Sequence, residues 1–130
     1  MDEIVTLMIN NVFVQRIKAT PNAISFDTVM EYIDEHYEYT PVRFTNGLKN
    51  DIVINEEGTN EGSCKIFAFA KLFNLCERDT LACFGKFYTV DVLGNPNGDD
   101  HANIRTFMRH GWKGISFDKP ALVEKELEEA

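Results

Sequence analysis

Apolar residues recur at helical spacing in several stretches of the chain, and turn-forming residues separate them. From Asp2 to Ala19, a loose stripe of Ile4, Leu7, Met8, Val12 and Phe13 follows a capping Asp2, and Thr20-Pro21-Asn22 ends it. The second stretch is better formed. Ser25 is a good N-cap, and Phe26, Val29, Met30, Ile33 and Tyr37 follow at i, i+3, i+4, i+7 and i+11. Asp27, Glu31, Asp34 and Glu35 occupy its outer face. A third helix starts near Asn60 to Ser63 and runs to about Leu75; it is apolar nearly all round, which predicts a buried, central helix. A fourth starts near Asp79 or Thr80, with Leu81, Phe84, Tyr88 and Leu93 on one face and Gly85 in its middle, a sign of close approach by another helix. Gly94-Asn95-Pro96-Asn97-Gly98 stops it. A fifth opens at Asp99-Asp100 and runs through Ile104, Phe107 and Met108 to a Gly111 C-cap. Trp112, Ile115 and Phe117 then form an irregular lid. Pro120 opens a last turn that docks Leu122, Val123 and Leu127.

Residues 38–60 break this pattern. Pro41, Asn46-Gly47, Asn50-Asp51, Asn55 and Gly58 punctuate them. Val42 to Thr45 and Ile52 to Ile54 predict two short strands around an Asn46-Gly47 turn, within a loop that drapes Phe44 and Ile54 onto the core. The sum is a mainly α fold: a compact single-domain bundle of about five helices with one long ordered loop, residues 38–60, holding at most a short β-hairpin. The domain spans residues 1–123, and residues 124–130 form an acidic tail.

Composition narrows the function classes. The 130 residues carry 13 Lys and Arg against 21 Asp and Glu, a net charge of −8, which argues against phosphate-dominated nucleic-acid binding. The tail alone holds four Glu and one Lys, and reads as a solvated end rather than a binding arm. Cys64, Cys76 and Cys83 are odd in number and lack a CxxC pair, so reduced thiols in a cytosol-like compartment are expected. The opening MDEIVTLM has two acids and no basic region, unlike a Sec signal peptide. No apolar run approaches the roughly 20 residues of a membrane span.

Three stretches resemble a known family. They are Tyr39-Thr40-Pro41 with Phe44-Thr45-Asn46-Gly47; Gly58-Thr59-Asn60-Glu61-Gly62-Ser63-Cys64-Lys65-Ile66-Phe67 with Thr80-Leu81-Ala82-Cys83-Phe84-Gly85; and Asp91-Val92-Leu93 with His101-Ala102-Asn103-Ile104-Arg105, Phe107-Met108 and Gly111-Trp112. Across Phe26 to Phe117 the chain resembles the HopJ family, named as type III effectors of plant-pathogenic pseudomonads. The resemblance implies a bacterial cytoplasmic protein, or one delivered into a host cell by a type III system, with a host protein as a partner. It brings no established catalytic residues or cofactor.

The Gly58–Lys65 segment departs from a P-loop. Three residues, not four, separate Gly58 and Gly62, and Ser63-Cys64 precede Lys65. A glycine-bearing loop entering a helix can still offer its first-turn N–H groups, Ser63 and Lys65 to a small anion. Cys64 in that turn would have a depressed pKa and act as a nucleophile, with His101 or His36 as base. In the plainer reading, Asn60 or Ser63 caps the helix, Glu61 complements its dipole and Cys64 packs as a small hydrophobe. The Asp99-Asp100-His101 start, with Asn103 and Arg105, forms a second constellation. His101 and Arg105 share a face, and Arg105 can pair structurally with Asp91. The spacing matches no zinc or calcium motif, so no metal is assigned.

Two readings of function follow. One is a non-enzymatic module that binds a protein through a groove near the long loop, where Tyr37, Tyr39, Phe44, Tyr88 and Trp112 are either interface anchors or core. The other is a small-ligand-binding protein or enzyme. Its polar pocket draws on Asn60, Glu61, Ser63, Lys65, His101, Asn103 and Arg105, with Cys64 and His101 as catalytic candidates.

Overall fold

The computed structural model describes residues 2–125, without the side chains of residues 2–4, 6 and 7. The expected Ile4 and Leu7 contacts, the docking of Leu127 and the tail beyond Lys125 therefore lie outside the described residues.

Helix α1 (Asp2–Ala19) packs through Asn10, Phe13, Val14 and Ile17, while Met8 and Val12 face outward at 62% and 72% exposure. The expected stripe is thus rotated: the inward positions are i, i+3, i+4 and i+7 from Asn10. Helix α2 (Phe26–His36) starts at Ser25, whose Oγ accepts the Thr28 N–H at 3.0 Å, and buries Val29 and Ile33. Helix α3 (Glu61–Leu72) is the central element, with Ile66 to Ala70 all buried. Its two sides carry two aromatic clusters. Phe67 packs against Phe44, Phe84, Phe107 and Trp112, and Phe69 against Phe13, Tyr32, Tyr37 and Phe73, at ring separations of 5.0–6.3 Å.

The expected helical bundle is not what the chain forms. The described residues are 55% helical and 15% strand, in two small antiparallel sheets, so the fold is mixed α/β. Strand β1 (Tyr37–Tyr39) continues directly from α2. Strands β2 (Phe44–Leu48) and β3 (Asp51–Asn55) form a hairpin, β4 (Ser116–Phe117) adds to the other edge of β2, and β5 (Leu122–Glu124) pairs with β1. Residues 122–124 are a strand rather than part of a last helical turn, because Tyr37–Tyr39 supply a partner from far along the chain. Such non-local pairing leaves little periodic signal in so short a segment.

The hairpin also turns elsewhere than expected. Its two-residue turn is Lys49-Asn50, with Lys49 at φ +58°, and Asn46-Gly47 lie inside β2. Gly47 is required there for a different reason. A Cβ on it would fall 1.9 Å from the Asp51 carbonyl oxygen and 2.9 Å from Thr106 Cγ2. Phe44 is fully buried as expected, but Ile54 is 55% exposed on the outer face of β3.

Helix α4 (Glu77–Ala82) is short. The expected longer helix breaks at Gly85, which is left-handed at φ +58°, and a Cβ there would fall 2.8 Å from the Phe26 backbone nitrogen. The close approach is real, but it is to the start of α2 and it ends the helix. A π-helical turn (Phe87–Val92) follows, then α5 (Ala102–His110) and a 3-10 turn (Gly111–Gly114). Trp112 closes the core as its indole N–H donates to the Leu75 carbonyl at 2.8 Å.

Four asparagines tie these elements together. Asn55 of β3 and Asn103 of α5 exchange amide hydrogen bonds at 2.8 and 3.1 Å. Asn46 of β2 donates to the Asn103 carbonyl at 2.8 Å and to its side-chain oxygen at 3.1 Å, and Asn60 donates to Asn55 Oδ1 at 2.7 Å. Asn103→Ala removes the side-chain acceptor shared by Asn46 and Asn55 and the donor to Asn55 Oδ1, leaves Asn46 its bond to the backbone carbonyl, and should cost about 2 kcal/mol in urea unfolding. A loss below about 0.5 kcal/mol would show that the network carries no stability.

A second clamp holds the hairpin turn. Asp51 accepts from Arg109 Nε at 2.7 Å and Nη2 at 3.1 Å, and pairs with His110 Nε2 at 2.7 Å. Arg109 first, then His110, lowers the Asp51 carboxyl to about 2 from its usual 3.8. Its stabilisation is therefore complete above about pH 4 and fades as the pH falls toward 2. Urea midpoints of wild type and Asp51→Asn should differ at pH 5 and converge by pH 2.

Candidate functional site

The starts of α3 and α5 meet at a cleft of about 390 Å³. Both helices begin in the same unusual way. Asn60 precedes α3 and His101 precedes α5, each left-handed at φ +49°, and neither side chain caps its helix. A left-handed non-glycine residue is held against a local cost of about 1–3 kcal/mol, so the surrounding bonds must impose it. For Asn60 that bond is the one to Asn55. Asn60, Ser63, His101 and Asn103 are the polar residues of its lining. Phe26, Val53, Phe84, Phe87 and Ile104 are the apolar ones. Gly62 lets the wall close up, since a Cβ there would lie 2.8 Å from the tip of the Phe26 ring.

The seven residues expected to form one pocket do not converge. Helical spacing explains the division on α3. Asn60 and Ser63 are three apart and face the cleft; Glu61, Cys64 and Lys65 lie on the side toward Tyr39. Lys65 is spent on that side: its Nζ bonds Asp34 Oδ1 at 2.8 Å and sits 4.9 Å from the Tyr39 ring centre. Arg105 is likewise committed. It donates to the Asp100 carbonyl at 2.6 Å, the Asp100 carboxylate at 2.5 Å and the Asn95 carbonyl at 2.9 Å. It braces the loop before α5, and its partner is Asp100 rather than Asp91. That bond holds the Asp100 carboxyl below the usual range. Among the described residues, no Lys or Arg lines the cleft.

His101 is the expected residue with the most developed surroundings. Its Nε2 lies 2.9 Å from Asp91 Oδ2 and 3.9 Å from Asp100 Oδ2, and its ring packs on Phe87 at 5.3 Å. Asp91 comes from the π-helical turn, a geometry frequent at functional sites. Among the described residues, no three His, Cys, Asp or Glu side chains are placed to hold a metal ion. Neither spacing nor composition links the Phe26 and Phe87 rings, which lie far apart in sequence. Asn46 and Asn55 carry turn chemistry but sit inside β2 and β3, and for Asn55 the preceding Ile-Val-Ile run is the local cue to a strand.

Of the two readings of Cys64, its surroundings match the small buried hydrophobe and not the thiolate nucleophile. It is 1% exposed, and burial raises its thiol pKa, with Tyr39 and the Val42 backbone beside it. The helix start does not make it a thiolate, because desolvation outweighs the dipole here.

The fold and site define a small mixed α/β protein in which one of several surface clefts lies where two helices begin. The chain belongs to the HopJ family: the model for HopJ type III effector protein matches residues 10–122. A solved crystal structure of VPA0580, a protein of unknown function, is 47% identical to this chain, with a TM-score of 0.83 over 88% of this chain and 92% of that one. No curated protein matches the chain. No helix among the described residues is long and apolar enough to cross a membrane.

The thiols give a direct check on Cys64. Burial raises Cys64 and pushes Cys83 up to about 12, whereas Cys76 is exposed. Iodoacetamide at pH 7.5 should label one thiol per native chain, at Cys76, and all three in urea. Rapid native labelling of Cys64 would contradict this environment.

Proposed function

We propose that this HopJ-family domain binds a small molecule in the cleft between the α3 and α5 starts. The observation that carries this reading is the mixed lining. Phe26, Phe84 and Phe87 supply apolar surface, and Ser63, His101 and the starts of two helices border the same cavity. With Lys65 and Arg105 engaged elsewhere, the ligand that suits this lining has a flat apolar body and one carbonyl or carboxylate end, not a multiply charged phosphate. In a type III effector family, such a domain would carry its binding capacity into a host cell.

The test is a ¹H–¹⁵N NMR titration with aromatic carboxylic acids and their esters and amides, run beside a thermal-shift screen. Binding should move the amides of Gly62, Ser63, Ala102 and Asn103. At ligand concentrations about 100-fold over Kd, it should add about 2.7 kcal/mol of stability. Ser63→Phe fills the cleft and should abolish both effects. Shifts confined to other surfaces, or an unchanged response in Ser63→Phe, would remove the cleft as the site.

A protein-binding reading is favoured by a different surface from the one the sequence suggested. Phe44 is fully buried, whereas Ile52 and Ile54 stand 45% and 55% exposed on β3, an edge strand. A strand edge with outward apolar residues suits an extended peptide. Ile52→Lys with Ile54→Lys should release a captured protein partner while leaving the fold intact by circular dichroism.

A further inference from the structure

One side chain that borders the cleft, His101, is paired with a carboxylate behind it in a way that binding alone does not require. His101 is held from three directions: Asp91 on Nε2 at 2.9 Å, the Phe87 ring against its face, and a left-handed backbone. The loop before it is braced by Arg105, so the ring has a rigid seat. Asp91 has no other polar side-chain partner among the described residues. The contrast with His110 is informative. That histidine shares Asp51 with Arg109, so its carboxylate serves a structural clamp. At His101 the carboxylate serves the imidazole alone, and Nδ1 has no partner among the described residues. An imidazole that gives its Nε2 proton to a carboxylate presents Nδ1 as the basic nitrogen.

We propose that His101 is a general base for the cleft, and that the domain hydrolyses carboxylic esters bound there; this rests on the reading that the cleft binds a small molecule. In the step, Nδ1 takes a proton from a water molecule as the water oxygen bonds to the ester carbonyl carbon. The carbonyl oxygen becomes an oxyanion. The bond from that carbon to the alkoxy oxygen then breaks, and the leaving oxygen receives the proton from the imidazolium. One water is consumed, and one acid and one alcohol leave. Asp91 is the positioning residue, fixing the tautomer and supporting the charged ring. The ester class follows from the lining. A carbonyl oxyanion bears a single charge, which neutral N–H and hydroxyl donors can stabilise. A transferring phosphoryl group spreads more charge and calls for cations, and among the described residues no Lys or Arg lines the cleft.

The test uses p-nitrophenyl esters of aromatic acids with the full chain. Wild type should release nitrophenol faster than buffer containing an equal concentration of free imidazole. His101→Asn keeps a residue that tolerates the left-handed backbone, and should lose about 10²–10⁴-fold in kcat/KM. His101→Gly should lose as much and recover in part with added imidazole, which a purely structural histidine would not show. Asp91→Asn should fall by less, with KM unchanged. Melting curves and circular dichroism establish that each variant is folded. A wild-type rate equal to the imidazole control, or an unchanged rate in folded His101→Asn, overturns the hydrolase. The matching unreactive amide, followed by NMR, separates the two readings. Cleft shifts with the amide but no ester turnover defeat hydrolysis and leave binding standing, whereas no shifts at all defeat both.

Discussion

Asn55 and Asn103 lie in the interior and satisfy each other's amides, while Asn46 and Asn60 complete the set. These four residues come from β2, β3, the loop before α3 and the first turn of α5. Asn55 and Asn103 each donate and accept, and Asn46 and Asn60 donate into that pair, so the bonds specify direction as well as distance. Apolar contacts around Phe67 would hold these elements together, but they tolerate sliding and rotation. A buried amide does not, because a shift of an ångström leaves a polar group unpaired. The network thereby sets where α3 and α5 begin relative to the hairpin. The cleft and the left-handed turn at Asn60 depend on that placement.

The polar residues around the cleft fall into two kinds. Arg105 and Lys65 each meet fixed partners, and their role is to keep the loop before α5 and the α2–α3 packing in place. Ser63 and His101 border the cavity. The division has an electrostatic consequence. An acidic protein with Lys65 and Arg105 already paired presents a cleft whose positive character comes from helix dipoles, N–H groups and His101. Such a site suits a polar but weakly charged ligand end. The chain belongs to the HopJ family and is similar in structure to VPA0580, and the cleft offers a concrete place to look for what the domain binds.

Much of the fold was legible because its signals are local. The Ser25 cap with its 3.6-residue apolar period located α2, and the all-round hydrophobicity of Ile66 to Leu75 marked α3 as central. The family could be recognised from motifs alone. The strands were not legible in the same way. Residues 122–124 and 116–117 are too short to show a period, and they become strands only when Tyr37–Tyr39 and Phe44-Thr45 lie alongside them. Asn46-Gly47 has turn chemistry, yet packing against Thr106 and Gly114 overrode it and moved the turn to Lys49-Asn50.

The same distinction governs the site. The sequence by itself determined an acidic, mixed-polarity chain with a buried central helix, and it put Asn60, Ser63, His101 and Asn103 among the residues to watch. Only the tertiary structure decided that these four border one cleft, that Lys65 and Arg105 turn away from it, and that burial holds the Cys64 thiol protonated. The physical reason is that pairing partners and desolvation depend on which elements meet in space. Asp34 meets Lys65, Asp100 meets Arg105 and Asp91 meets His101 through the packing of α2, α3, the π-helical turn and α5.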